Sequence, residues 1–247
     1  MIETAIALAL GHLAADFLLQ TTWMVENKRR PKALATHAAI VGLASWVCLG
    51  FAPAFAALAL VTLSHAFIDV LKARLGGPGL TAFLTDQAAH GIVILAAARL
   101  SPQAFGTGLW GHSAVTEALP DLTEALPALM AVTAGLIAAV FAGGYAVKAL
   151  MANIALNAPE ERQDMPKGGL FIGRLERLLI FMLTLSGNVD AIGFLIAAKS
   201  VLRFNELTRE RHHQVSEYVI VGTLGSFAWG LASAEAARWA LSALGSP

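Results

Sequence analysis

Long apolar runs are the feature that most constrains the fold of this chain. Eight stretches are long enough to cross a bilayer as helices, which takes about 17–25 residues each. They cover residues 2–20, 33–50, 54–75, 80–99, 125–149, 169–187, 189–205 and 215–243. Hydrophobic residues make up 57% of the chain and charged residues only 14%, whereas soluble domains carry roughly 25% charged residues. The sequence therefore predicts an all-α fold, a polytopic membrane helix bundle of about eight transmembrane helices.

The loops between these runs predict three parts. Residues 1–100 hold the first four runs as two helix hairpins, and residues 101–124 form an external loop rich in Gly and Pro. Residues 125–247 hold the last four runs. Charged residues intrude on 169–187 and 189–205, so a re-entrant hairpin is the alternative to two full spans there. The N-terminus lacks a basic region, so we expect the first run to be a retained helix and not a cleaved signal peptide.

The basic residues lie asymmetrically about the predicted spans. When the first loop, with Lys28 and Arg29, is placed in the cytoplasm, only Arg99 and Arg238 of the 17 Lys and Arg fall on the other side. By the positive-inside rule, this distribution predicts eight spans with both termini outside. The formal net charge is +0, so the charge balance gives no reason to expect nucleic acid as a partner.

Ionisable residues recur at fixed spacing within the apolar runs. His12-x3-Asp16 is repeated as His65-x3-Asp69, and a further histidine, His37 or His90, follows the first residue of each pair by 25 positions. Residues four apart share one helix face. Asp86 and His90 form a third pair in reverse order. Ionisable groups in a membrane helix are costly and mark functional sites.

The predicted topology places these seven side chains at similar depth, near the cytoplasmic ends of the first four helices. Neutral imidazole nitrogen and carboxylate oxygen suit Zn, Mn or Fe, and helix bundles build metal sites from facing helices. We therefore expect a divalent metal, with Zn favoured over Mn or Fe. A proton or ion pathway and a purely structural polar network are the alternatives. The predicted metal residues are His12, Asp16, His37, His65, Asp69 and His90, and Asp86 is the candidate general base.

A second polar cluster lies in the C-terminal half. Guanidinium groups bind phosphate and carboxylate bidentately, which predicts a cup for an anionic head group. Snorkelling of the cationic side chains and salt bridges to Glu176 and Glu217 are the alternative. The predicted substrate-binding residues are Arg174, Arg177, Lys199 and Arg203.

The motifs resemble a known family. The segments Gly11–Gln20, His65–Asp69 and Asp86–His90, together with His37, are similar to a bacterial multi-pass membrane family catalogued as a domain of unknown function. The C-terminal Gly173–Arg177, Ala191–Arg203 and Glu217-Tyr218 extend that resemblance. More distantly, the His-x3-Asp pairs are similar to those of integral-membrane metal-dependent hydrolases. The resemblance implies a bacterial inner (cytoplasmic) membrane protein.

These observations predict a membrane-embedded metal-dependent hydrolase whose site opens to the cytoplasm. The expected partners are the lipid bilayer and an amphiphilic or anionic small-molecule substrate. A transporter of ions or protons, a di-iron oxidoreductase and a scaffold without enzymatic activity use the same residue types and are the alternatives.

Overall fold

The computed structural model describes residues 1–77, 79–155, 167–209 and 213–245; for residues 75, 153–155, 167–168, 202–209 and 213–219 it describes the backbone alone. The described residues are helical and contain no strand, so the predicted all-α class is confirmed. The helices are α1 (Ile2–Ala14), α2 (Thr22–Glu26), α3 (Pro31–Cys48), α4 (Phe55–Leu75), α5 (Leu80–Leu100), α6 (Ala104–Thr107), α7 (Ser113–Ala118), α8 (Pro120–Ile137), α9 (Gly143–Ala155), α10 (Lys167–Leu185), α11 (Asp190–Arg209) and α12 (His213–Ala243). A first π segment spans Ala15–Leu19, a second spans Ala138–Ala142, and a short 3-10 turn spans Leu109–Gly111.

The chain forms two compact units. The first unit comprises Met1–Gly77, Thr81–Ile137 and Trp239–Pro247, and the second comprises Pro78–Leu80 and Ala138–Arg238. The stretch predicted as an external loop contains α6, the 3-10 turn and α7, and α8 already begins at Pro120. The first unit carries every residue of the predicted metal cluster.

Four helical stretches of the described residues are long and apolar enough to cross a membrane. They are Ile2–Leu19, Phe55–Arg74, Leu80–Leu100 and Pro120–Ala152, and they coincide with four of the predicted runs. The chain is therefore an integral membrane protein. The other four runs fall on α3, α10, α11 and α12, and their crossing of the membrane stays a prediction.

Helix α4 has one apolar face and one polar face. Phe55, Leu63 and Phe67 leave 68%, 70% and 66% of their surface exposed, whereas His65 and Asp69 expose only 2% and 4%. In a membrane the apolar face meets lipid, and the ionisable side chains turn to the interior of the bundle. This division points His65 and Asp69 towards the neighbouring helices.

Small residues bring α1 and α3 into close contact. A Cβ atom at Gly11 would lie 2.8 Å from both the backbone N and the Cα of Ser45 on α3. Close backbone approach through glycine is a common means of packing membrane helices. Because His12 follows Gly11, this contact fixes the distance between the first histidine and α3.

The connections of the first unit meet at the end opposite the basic loop. The Thr4 hydroxyl donates to the Pro102 carbonyl (3.1 Å), and the Leu109 N–H donates to the Gly50 carbonyl (2.6 Å). Gly50 has φ of 64°, which favours glycine, and a Cβ there would collide with Trp110. The N-terminus, the α3–α4 turn and the 101–111 connection therefore share one end. At the other end, Arg29 donates to the Ala73 carbonyl (3.3 Å).

Candidate metal centre

Five elements of the first unit supply the seven residues of the predicted cluster, which we call the His/Asp layer. Helix α1 supplies His12, the first π segment Asp16, α3 His37, α4 His65 and Asp69, and α5 Asp86 and His90. All are buried except Asp16, whose side chain is 13% exposed. The structure brings all seven together, and their roles as ligands or catalyst stay predictions.

The four imidazole rings pack against one another. His65 stacks on His90 with ring centroids 4.2 Å apart, and His12 lies 4.8 Å from His90. His37 meets His65 nearly edge-on at 4.9 Å. Four protonated rings at these distances would repel strongly, so this packing requires mostly neutral imidazoles. Neutral imidazole is the form that binds metals.

Three atoms from three elements form a small triangle, which we call the ligand triangle. His37 Nε2 lies 3.0 Å from His65 Nε2, and Asp16 Oδ1 lies 3.2 Å from His37 Nε2 and 3.3 Å from His65 Nε2. With zinc–ligand lengths of about 2.0–2.2 Å, ligand–ligand distances are about 2.8–3.1 Å in octahedral sites and about 3.3–3.6 Å in tetrahedral sites. The measured edges fall in the span of these two geometries, so the donor set fits a divalent metal.

Several buried polar atoms of the His/Asp layer make no hydrogen bond. They include Asp16 Oδ1, Asp86 Oδ1 and His90 Nε2, as well as His37 Nδ1. Asp16 Oδ1 lies 3.2 Å from His37 Nε2 and 3.3 Å from His65 Nε2. Buried polar atoms without partners are rare and commonly mark the place of a bound ion, a water or a catalytic group. A metal at the ligand triangle would satisfy Asp16 Oδ1.

A second group of donor atoms contains none of the residues of the ligand triangle. Asp69, Asp86 and His90 offer atoms within 4.8 Å of one another. However, each carboxylate is paired with a lysine. Lys28 Nζ lies 3.2 Å from Asp69 Oδ1, and Lys72 Nζ lies 2.6 Å from Asp86 Oδ2. Since a metal there would compete with two ammonium groups, the ligand triangle is the better metal site.

His12 lies between these two groups. It forms a third set with His65 and His90, again within 4.8 Å. Its Nε2 lies 3.4 Å from Gln87 Oε1 and 4.0 Å from Asp16 Oδ2. His12 can therefore complete the ligand set or hold Asp16 in place.

The formal charge of the layer favours a single metal ion. Three aspartates and the two paired lysines leave one negative charge when the imidazoles are neutral. One divalent ion changes this to one positive charge, whereas two ions would give three positive charges. Net charge buried at membrane depth is costly. If the layer binds metal, the formal charge therefore favours one divalent ion over two.

Sequence reasoning missed Lys28 and Lys72 as partners of the layer. Both were interpreted only as cytoplasmic charges, although the position of Lys72 on α4, three residues after Asp69, places it on the same helix face. Lys28 lies in a connection, where no periodicity indicates its direction. Gln87, which donates to Asp86 Oδ2 (3.1 Å), was noted only as a flanking polar residue.

The predicted anion cup lies in the second unit. Arg177 is buried and donates to the Ala139 and Val140 carbonyls of the second π segment and to the Ser226 hydroxyl, at 2.8–3.0 Å. Lys199 pairs with Glu176 at 2.5 Å. Arg174 stacks on Phe141, and the Arg203 side chain lies outside the described residues. The substrate-binding role of these four residues stays a prediction.

The fold and the His/Asp layer describe an integral membrane protein with a polar centre buried among its apolar helices. Residues 5–110 match a family described as a protein of unknown function (DUF3307). This match confirms the resemblance predicted from the motifs between Gly11 and His90, and it contains all seven residues of the layer. The C-terminal segments lie outside the match, and their resemblance stays a prediction. Neither the curated proteins nor the solved structures provide a match to the chain.

Proposed function

We propose that the His/Asp layer binds one divalent metal ion, with Zn favoured, and that the protein is a metal-dependent hydrolase of a lipid or another amphiphile. The ligand triangle of Asp16, His37 and His65 is the observation that carries the proposal. Its three edges match a coordination sphere, and its carboxylate oxygen is buried without a hydrogen bond. Two further protein donors lie beside it: Asp69 Oδ2, 3.6 Å from His37 Nε2, and His12 Nε2, 4.0 Å from Asp16 Oδ2.

The residues around the triangle have separate roles in this proposal. Asp16, His37 and His65 would hold a divalent metal, which would supply a coordinated water of lowered pKa and a Lewis acid for a carbonyl or phosphoryl oxygen. Asp86 is held at Oδ2 by Lys72 and Gln87. Its Oδ1 has no hydrogen bond and lies 3.7 Å from His90 Nε2. Asp86 therefore accepts a proton at Oδ1, and His90 is oriented by the same carboxylate.

We further propose eight spans in the inner membrane of a bacterium, with both termini outside. The first unit supports this topology because its connections segregate to two ends. Arg29 contacts the backbone of Ala73, so the first loop and the C-terminal end of α4 lie together. The first loop carries Lys28 and Arg29, and the last turn of α4 carries Lys72 and Arg74, as the cytoplasmic ends of spans do. The site opens towards that basic end.

Metal analysis of the detergent-purified protein tests the proposal. We expect about one Zn per chain by mass spectrometry, retained in His112→Ala and lost in the His37→Ala/His65→Ala double variant. His112 is an exposed histidine of the same unit and is therefore a matched control. Hydrolysis of ester, amide and phosphoester lipids in mixed micelles should be abolished by a chelator and restored by Zn.

Other outcomes select other functions. Bound iron with a visible chromophore would favour the di-iron oxidoreductase. A protein that binds metal, hydrolyses no lipid and exchanges metal across proteoliposome membranes would favour the transporter. Wild-type protein that holds no metal after growth and purification with added Zn would refute the metal centre.

A further inference from the structure

A cleft with basic walls opens beside the His/Asp layer. Three cationic residues of the first unit line it, namely Lys28, Arg29 and Arg74, and no carboxylate is part of its lining. Leu34 and Val70 contribute apolar surface to the same cleft. The cleft therefore combines positive charge with an apolar wall, which suits a ligand that has an anionic head and an apolar tail.

The two arginines keep most of their hydrogen-bonding capacity free. Arg29 makes one hydrogen bond, to the Ala73 carbonyl. Arg74 makes none with the described residues, and both side chains are exposed. Each guanidinium has five N–H donors in a planar fork that matches phosphate. By contrast, the buried Arg177 of the second unit uses its donors on two carbonyls and a hydroxyl.

The position of the cleft selects an amphiphile over a soluble anion. Arg74 is the last residue of the candidate span Phe55–Arg74, so it lies at the level where lipid head groups meet the hydrocarbon core. Val70 lies one turn earlier on α4, on the apolar side of Arg74. A head-group phosphate at the arginines would have its acyl chain beside Leu34 and Val70.

Lys28 connects the cleft with the metal centre. It lines the cleft, and its Nζ lies 3.2 Å from Asp69 Oδ1. The other oxygen of that carboxylate, Oδ2, lies 3.6 Å from His37 Nε2 in the ligand triangle. A ligand in the cleft is thus separated from the triangle by a single ion pair.

We propose that this cleft binds the phosphate head group of an amphiphile and presents it to the His/Asp layer. The binding itself needs no metal, whereas its use as a substrate site rests on the proposed hydrolase function. The substrate class is then a phosphate-bearing lipid with a bond open to hydrolysis near its head group.

Isothermal titration in a nonionic detergent tests the proposal with short-chain phosphatidic acid. We expect the Arg29→Gln/Arg74→Gln variant to bind it more weakly than wild type by on the order of tenfold for each arginine. The matched control, Arg99→Gln/Arg238→Gln, should bind like wild type. Arg74→Gln alone replaces the double variant if that variant does not fold, because the Arg74 side chain makes no hydrogen bond or ion pair with the described part of the chain.

Two ligands separate the sources of the phosphate chemistry. Inorganic phosphate and the matching diacylglycerol should each bind much more weakly than phosphatidic acid. If inorganic phosphate binds as tightly as phosphatidic acid, the preference for an amphiphilic ligand is refuted. If diacylglycerol binds as tightly, the role of the phosphate group is refuted. Equal weakening in the cleft variant and in the control would overturn the cleft.

Metal content distinguishes this proposal from the proposed function. The cleft variant should keep its Zn, and His37→Ala/His65→Ala should lose Zn but still bind phosphatidic acid. If wild type binds phosphatidic acid through the two arginines but holds no metal, the hydrolase fails and the cleft stands. If wild type holds Zn but the cleft variant binds phosphatidic acid unchanged, the cleft fails and the metal centre stands.

Discussion

Replacing His37 by alanine should weaken metal binding by about two to three orders of magnitude. Structural zinc sites release about 10–16 kcal/mol on binding, or about 2.5–4 kcal/mol for each of four ligands. Each 1.4 kcal/mol is a tenfold change in affinity, so loss of one ligand corresponds to about 100- to 1,000-fold. His37 Nε2 forms two edges of the ligand triangle and contacts both Asp16 and His65.

Thermal unfolding in detergent measures this loss directly, because a ligand stabilises the folded state that binds it. At a free metal concentration of about 1,000 times Kd, wild type gains about 4.1 kcal/mol from metal. With the affinity weakened as above, His37→Ala gains only about 0.4–1.4 kcal/mol under the same conditions. We therefore expect a chelator to lower the Tm of wild type and of His112→Ala clearly, and that of His37→Ala little.

A purely structural polar network gives a different result. His37→Ala would then lower the Tm by the same amount with and without metal, because the hydrogen bond to His65 would be lost in both conditions. An equal response of wild type and His37→Ala to the chelator would refute the reasoning from the ligand triangle.

Three further predictions concern packing and buried charge. Gly11→Ala should destabilise the protein by about 1–3 kcal/mol and weaken metal binding, because its Cβ forces α1 away from the Ser45 backbone. Unfolding and metal titration check this, with Gly91→Ala as the control because its new Cβ meets nothing within 4 Å. Equal behaviour of the two variants would contradict the prediction. Lys72→Met should lower the free energy of unfolding, measured with chelator present, by about 1–3 kcal/mol, because Asp86 loses its cation. The additional substitution Asp86→Asn should restore most of the loss in Tm. A double variant with no restored Tm would count against the ion pair. Arg177→Met should lower the free energy of unfolding by at least about 3 kcal/mol, since three hydrogen bonds are lost and two carbonyls lose their guanidinium donors. The control Arg238→Met, which removes an exposed pair with Glu235, should change the Tm little. Similar Tm values for the two variants would refute the structural role of Arg177.

The convergence of the His/Asp layer could be predicted from the sequence because two simple rules act together. Spacing of four puts His65 and Asp69 on one helix face. The predicted alternation of spans puts the C-terminal ends of α1 and α4 on the same side of the membrane as the N-terminal ends of α3 and α5. Exposing ionisable side chains to lipid is energetically costly, so the helix face that carries them turns to the interior of the bundle. The apolar face of α4 at Leu63 and Phe67 is the other half of the same rule.

Helix periodicity and the alternation of spans do not predict the contacts made by Lys28 and Arg177. The pairing of Lys28 with Asp69 depends on the path of an irregular connection, which no periodicity describes. The burial of Arg177 depends on carbonyls exposed by the second π segment, and π segments have no sequence signature in this chain. Basic residues near span ends are ordinary cytoplasmic charges by composition. Only the structure distinguishes Arg177, which is held by backbone carbonyls, from Arg74, which has no hydrogen bond among the described residues.

The first π segment sets the angle between the packing surface of α1 at Gly11 and the carboxylate of Asp16 that follows it. Successive residues of an α-helix are rotated by about 100°, and a π turn accommodates one additional residue. Removing Ala15, the residue of the segment that lies between Gly11 and Asp16, would shift the phase of the aspartate against Gly11 by about that angle. The chain could then keep the Gly11 contact with Ser45 or aim Asp16 at His37 and His65, but not both. One additional residue in the π turn thus lets the same helix pack tightly through Gly11 and present the Asp16 carboxylate to its neighbours.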